Sequence, residues 1–185
     1  SVFIRGAESR HTLVLIDGVQ QSGGIAAFDL SAINLDTVER IEIVKGPRST
    51  QYGSDAIGGI VHIITRKTGK RPLELRFGGG SNGTGEVSIH GNYRGDHLKA
   101  RVGISSLHAR GTPTFVSSTE ERGFSNLTLE GAGRYALGES AGLDFSARWT
   151  KGETEYTDLF AAPANKSQDF EQKNLSVGGD WQINN

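Results

Sequence analysis

The sequence predicts a mainly β protein: a compact α+β unit over residues 1–70, then six antiparallel strands over residues 71–185 that belong to a transmembrane β-barrel. Three observations predict it. Six segments after Leu73 alternate apolar and polar residues with period 2, as strands with two unlike faces do. The connections between them are in the main alternately tight and long, the layout of an outer-membrane barrel. Apolar residues make up only 35% of the chain while 26 of its 185 residues are glycine, too thin a supply for a large water-excluding core. No stretch approaches 18 apolar residues, so a membrane-spanning helix is absent and any crossing is by strands.

The first unit is punctuated by glycine and proline. Val2-Phe3-Ile4 is a short apolar run. Residues 12–16 (Thr-Leu-Val-Leu-Ile) form a buried strand, stopped by the turn dipeptide Asp17-Gly18. Residues 20–28 are polar and small, hence a loop. Residues 35–38 suit a helical turn with Asn34 as its N-cap. Ile41, Ile43 and Val44 mark a strand halted by Gly46-Pro47, residues 49–52 a second turn, and residues 60–65 (Ile-Val-His-Ile-Ile-Thr) another buried strand.

From Leu73 the pattern changes. Leu73, Leu75 and Phe77 alternate with Glu74 and Arg76, and Val87, Ile89 and Tyr93 with Ser88, His90 and Asn92. Leu98, Val102 and Ile104 alternate with Lys99 and Arg101, and Leu127, Leu129 and Tyr135 with Thr128, Glu130 and Arg134. Leu143, Phe145 and Trp149 alternate with Asp144, Ser146 and Arg148, and Leu175, Val177 and Trp181 with Ser176 and Asp180. Each segment spans roughly 8–14 residues, above the soluble mode of about 5–6. Tight turns are expected at residues 94–97 and 137–140, and long connections at 110–122 and 156–169. Residues 80–83 are a short exception on the long side. Tyr93, Tyr135 and Trp181 fall on the apolar face near the tight-turn end, where amphipathic rings line a membrane interface. The charged face needs water or partners, which a wet lumen supplies. Six strands fall short of the eight or so that close the smallest such barrel, so further strands are expected beyond Asn185.

Several function classes drop out. Lys plus Arg is 20 against 21 Asp plus Glu, so the basic excess of a nucleic-acid binder is missing. Without cysteine there are no disulfides, thiolate metal sites or cysteine nucleophiles. His11, His62, His90, His97 and His108 do not cluster at metal-ligand spacing, and no nucleophile pattern adjoins them. Gly46, Gly53, Gly58 and Gly59 serve backbone geometry, since no Gly-Lys-Ser/Thr follows to hold a phosphate. Glu130 and Asp144 on neighbouring strands are read as partners of Arg148 and Arg134, not as an acid–base pair. No enzyme is expected.

Four motifs then carry a resemblance: Ser1-Val2-Phe3-Ile4-Arg5-Gly6; Leu13-Val14-Leu15-Ile16-Asp17-Gly18-Val19; Val38-Glu39-Arg40-Ile41-Glu42-Ile43-Val44-Lys45-Gly46-Pro47-Arg48; and Tyr52-Gly53-Ser54-Asp55-Ala56-Ile57-Gly58-Gly59-Ile60-Val61-His62-Ile63-Ile64-Thr65. In order and spacing they resemble the plug of TonB-dependent outer-membrane receptors. Within that family the wording is most similar to the vitamin B12 (cobalamin) receptors. The resemblance implies that residues 1–70 are the C-terminal part of a plug domain and residues 71–185 the first six strands of a 22-stranded barrel. It implies TonB as partner, through an N-terminal box absent from this chain, with outer-membrane lipid around the barrel and a large small-molecule ligand. Ferric-siderophore or haem uptake is the alternative within the family. A passive porin-like barrel is the rival from another class, and a soluble binding module a third.

The same resemblance implies site residues. Arg5 and Arg48 match the arginines that latch the plug to glutamates of the barrel wall. Gln20, Gln21 and Ser22 lie at the apical-loop position that contacts substrate. In the long connections, Tyr156 and Phe160, with Phe170 beyond them, suit stacking on a large planar ligand. Related receptors can bind calcium, but Glu120, Glu121, Asp158 and Asp169 are a thin supply for an ion that takes six to eight oxygens, so no metal or cofactor is assigned.

Overall fold

The computed structural model describes residues 4, 6, 11–21, 30, 33, 35–46, 56–113, 121–158 and 165–182. The chain divides into two compact units, Ser1–Arg66 and Lys67–Asn185. Of residues 67–70, expected in the first unit, Gly69 hydrogen-bonds to a strand of the second: its N donates to Asn92 Oδ1 at 2.6 Å and its O accepts from Arg94 Nη2 at 3.0 Å.

The first unit holds β1 (Thr12–Ile16), β2 (Val19–Gln20), β3 (Val38–Lys45) and β4 (Gly59–Thr65) in the order β2-β1-β4-β3. β1 and β4 run parallel, and the other two pairings are antiparallel. The central pair is covered on both faces, which is why both strands read as nearly continuous apolar runs. Leu13, Leu15, Ala56 and Ile60 pack on one side, and Ile4, Val14, Ile16, Ile33, Val38, Val61 and Ile63 on the other. β3 is an edge strand, with Ile41 and Ile43 exposed. The helical turn expected over 35–38 is a single 3₁₀ turn, Leu35–Thr37. Asn34 and the turn at 49–52 lie outside the described residues.

Asp17 and Gly18 make the two-residue link of a β1–β2 hairpin, with Ile16 opposite Val19 and φ of 48° and 83°. Positive φ at both positions is the type I′ turn that matches strand twist. The chain therefore re-enters the sheet at Val19–Gln20, where a loop was expected from residue 20. Asp17 also ties this hairpin to the end of β4. Its carboxylate accepts from Thr65 N at 2.9 Å and Thr65 Oγ1 at 2.6 Å. Asp17→Ala is expected to destabilise the first unit by about 1.5–3 kcal/mol, the worth of hydrogen bonds to a charged group. The check is the urea midpoint at which residues 1–66 become protease-sensitive in the complete protein. An unchanged midpoint would remove this tie from the fold's supports.

The second unit is a meander of β5 (Leu73–Gly80), β6 (Thr84–Arg94), β7 (Leu98–Pro113), β8 (Glu121–Ala136), β9 (Ala141–Thr157) and β10 (Asn165–Trp181). Each strand pairs antiparallel with the next. Number, order and tight turns are as predicted. Length is not: β7 to β10 have 16, 16, 17 and 17 residues. The ladders run on into residues assigned to the long connections, because backbone pairing continues after the apolar alternation has stopped. Gly111, with φ of 76°, sits in the irregularity of β7 between Ala109 and Thr112; a side chain there would overlap the Arg122 backbone.

Candidate functional site

Register divides the second sheet into two faces. Leu75, Ile89, Ile104, Leu129 and Trp149 stand opposite one another in one row across β5 to β9. Leu73, Phe77, Tyr93, Val102, Tyr135, Phe145, Leu175, Val177 and Trp181 share that face, and all are exposed. On the other face Ser88, His90, Arg101, Ser105, Asn126, Thr128, Arg148 and Thr150 are buried. A water-soluble sheet has the opposite arrangement. An outward surface of large apolar side chains fits a hydrocarbon solvent.

The aromatic residues report strand tilt. The Tyr93 row passes through Ala100 and meets β8 at Gly133, two residues above Tyr135. The Tyr135 row passes through Leu143 and meets β10 at Gly179, two residues above Trp181. The aromatic line thus descends one residue per strand. With a rise of about 3.3 Å per residue and strands about 4.8 Å apart, these rings lie at one height when the strands tilt by about 35°. Membrane barrels tilt by about 35–45°. Exposures of 59%, 43% and 79% for Tyr93, Tyr135 and Trp181 suit an interfacial girdle.

The polar face is organised by charge pairing. Arg148 Nη2 donates to Glu130 Oε2 at 3.0 Å, and His90 Nε2 lies 3.3 Å from Glu130 Oε1. His90 and Glu130 are on β6 and β8, with β7 between. The imidazole crosses it because the intervening position is Gly103, where a Cβ would overlap the ring. Arg134 bridges Asp144 and Asp180, each at 2.7 Å. The Arg148–Glu130 and Arg134–Asp144 pairs are those expected from the sequence, and Asp180 is an addition to them. Between these charges and the long-connection end runs a buried hydroxyl row, Ser88, Ser105, Thr128 and Thr150, with Thr128 and Thr150 hydrogen-bonded at 3.0 Å.

Above that row the polar face changes character. Among the described residues, its large apolar side chains are Leu107, Phe124, Tyr156 and Phe170, all toward the long-connection end. Phe124 and Phe170 stack with centroids 6.0 Å apart and planes 17° apart, Phe170 lying over the space left by Gly152. Leu107 and Phe124 are not among the residues expected from the sequence. The available signal was phase: an apolar residue where the alternation calls for a polar one.

The remaining expected site residues fall as follows. Tyr156 lies on this face, opposite Lys166, which pairs with Asp158 at 2.8 Å. Gln20 is exposed in β2. Gln21 is buried, its Nε2 donating to Val19 O at 2.8 Å. Arg5, Ser22, Arg48 and Phe160 lie outside the described residues. Of the acidic residues weighed for calcium, Glu121 and Asp169 lie in strands, and Asp169 stands opposite Glu153. Among the described residues no three His, Asp or Glu converge on a common point.

Comparison with known proteins decides the family. Residues 1–60 match the TonB-dependent receptor plug domain. The chain is 34% identical over 174 residues to the vitamin B12 transporter BtuB of Photobacterium profundum, and 32% identical to that of Vibrio vulnificus. Residues 1–60 are the plug domain of a TonB-dependent receptor. Each alignment covers 90% of this chain and 28% of the relative, so the chain spans little more than a quarter of those receptors. The siderophore receptor PirA of Acinetobacter baumannii shares the fold, with a TM-score of 0.72 at 19% identity over 98% of this chain and 31% of that one. So does the ferric enterobactin receptor PfeA of Pseudomonas aeruginosa, with a TM-score of 0.68 at 21% identity over 97% and 32%. The receptor is an outer-membrane protein of Gram-negative bacteria. Its apolar sheet face is the lipid face, and its polar face is the wall of the lumen.

Proposed function

We propose that the receptor takes up a scarce, large nutrient across the outer membrane in a TonB-dependent step, and that the nutrient is cobalamin. The observation that carries transport is a barrel wall, apolar outside and charge-paired inside, joined in one chain to a plug. A passive pore has no use for a plug. Two relatives named as vitamin B12 transporters, at 34% and 32% identity, support cobalamin. The fold neighbours are siderophore receptors, but at 19% and 21% identity they speak for the fold alone.

In this reading TonB engages a segment N-terminal to this chain and pulls the plug. Arg5 and Arg48 latch the plug to wall carboxylates, where a guanidinium makes strong, reversible pairs. Gln20, Gln21, Ser22 and Phe160 contribute to the ligand site from the plug apex and an outer connection. The lumen patch of Leu107, Phe124, Tyr156 and Phe170 offers flat apolar area to a large conjugated ring. Lys166 and Gln168, both on the same face of β10, stand close by for polar substituents.

The test is uptake of labelled cobalamin by cells expressing the complete receptor, with and without functional TonB. TonB-dependent accumulation is the expected result, and Phe124→Ala with Phe170→Ala is expected to weaken cobalamin binding about tenfold or more, as lost stacking area of this size does. TonB-dependent growth on a ferric siderophore without cobalamin uptake would keep the family and replace the ligand. Solute entry independent of TonB would overturn active transport.

A further inference from the structure

The junction between the two units is pinned twice within four residues. On the first-unit side, Arg66 N donates to Thr37 O at 2.8 Å and Arg66 Nε to Val38 O at 2.9 Å. On the wall side, Asn92 of β6 holds the chain through its side chain and its backbone. Its Oδ1 accepts from Gly69 N at 2.6 Å, its Nδ2 donates to Arg71 O at 2.7 Å, and its backbone N donates to Pro72 O at 2.8 Å. Arg94 Nη2 adds a bond to Gly69 O at 3.0 Å. Lys67 and Thr68 alone separate the two pins.

The wall side is built to keep its shape. Asn92 is oriented by Arg101, whose Nη1 reaches Asn92 Oδ1 at 3.1 Å and Glu74 Oε2 at 3.2 Å. Arg101 is 3% exposed. Gly69 is buried so closely against this group that a Cβ would overlap Glu74 Oε1 and Asn92 Nδ2. An asparagine that offers an acceptor to the backbone at Gly69 and a donor to the backbone at Arg71 imitates a strand partner. Residues 69–72 are thus fastened to β6, with Arg101 of β7 bracing the asparagine, before β5 begins at Leu73.

We infer that this Asn92-centred clamp is a strain relief: force drawn through the plug ends on the wall at Gly69 and does not peel β5 out of the sheet. The inference rests on the reading that TonB pulls the plug. The physical need is plain. Peeling a strand inside hydrocarbon leaves backbone groups unpaired, at several kcal/mol each. A pull on Leu73 from one end would break its ladder to β6 one bond at a time, whereas the clamp loads several bonds together.

The test is single-molecule pulling on the complete receptor in outer-membrane vesicles, from its N-terminus, comparing wild type with Asn92→Ala and Arg101→Met. Wild type is expected to extend up to Gly69 and hold. The clamp variants are expected to extend further, by about 14 Å when residues 69–72 alone come free and about 40 Å when β5 follows to Gly80, at about 3.5 Å per residue. Arg134→Ala removes two wall ion pairs that do not touch the junction. It should extend as wild type does, which separates loss of the clamp from general weakening of the barrel. Equal extension of wild type and both clamp variants would overturn the inference. The traces do not depend on the ligand or on TonB. Uptake in the same strains reports on the pulling mechanism: clamp variants are expected to let vancomycin through the outer membrane only when TonB is functional. Leakage equal with and without TonB would overturn the link between clamp and pull, whatever the traces show.

Discussion

Val102→Arg is expected to abolish accumulation of the folded receptor in the outer membrane. Val102 is 63% exposed on the lipid face, midway along the apolar stretch of β7 that runs from Leu98 to Ile104. Arginine at the midplane of a barrel costs about 2–4 kcal/mol, which is roughly a 30- to 1,000-fold shift of a folding equilibrium. Gln172→Arg is the control. Gln172 stands opposite Thr150 on the lumen face, where charge meets water and carboxylates. The measurement is the fraction of receptor in outer-membrane preparations that migrates as the compact, heat-modifiable form. Equal folding of the two variants would contradict the assignment of the faces.

Glu130→Ala is expected to be the most damaging change on the lumen face. Glu130, Arg148 and His90 have side chains only 10%, 7% and 3% exposed, and the single carboxylate serves both neighbours. Its removal leaves a guanidinium buried beside an imidazole, the situation that costs about 3–5 kcal/mol when one member of a buried pair is deleted. Replacing both partners, as Glu130→Gln with Arg148→Met, is expected to recover much of that loss, because no uncompensated charge remains. Urea midpoints of detergent-solubilised receptor carry the comparison. Should the single variant be as stable as the double, the pair would be an ornament of the wall and not a support.

The structure explains why some of this was legible in one dimension. Period-2 alternation is a local property of each strand, so the six segments and their two faces stand in the residue string itself. The Asp17-Gly18 turn is equally local, since two adjacent residues that tolerate positive φ suffice. Ion pairs such as Arg134–Asp144 and Arg148–Glu130 were within reach because tight turns set the register of neighbouring strands. Strand ends were not legible. Pairing of Thr112 and Pro113 with Arg122 and Glu121 depends on the partner strand being present, not on any apolar signal in either.

The lumen cluster shows the same boundary. His90 was visible as a histidine on the polar face, but its contact with Glu130 skips a strand. That contact exists because Gly103 removes a side chain from the strand between. Phe124 and Phe170 come together over Gly152 for the same reason. In both cases a glycine on one strand decides whether residues on the two flanking strands can meet.

The sequence by itself determined the family, the β architecture, the six strands in order and which side of each strand faces lipid. These follow from motif wording and alternation, which are written along the chain. Only the tertiary structure decided the length of the strands, the descending aromatic line, the apolar patch in the lumen and the clamp of Asn92 on residues 69–72. Each of those depends on register between strands, and on where a missing side chain lets two others touch. No single strand carries that information.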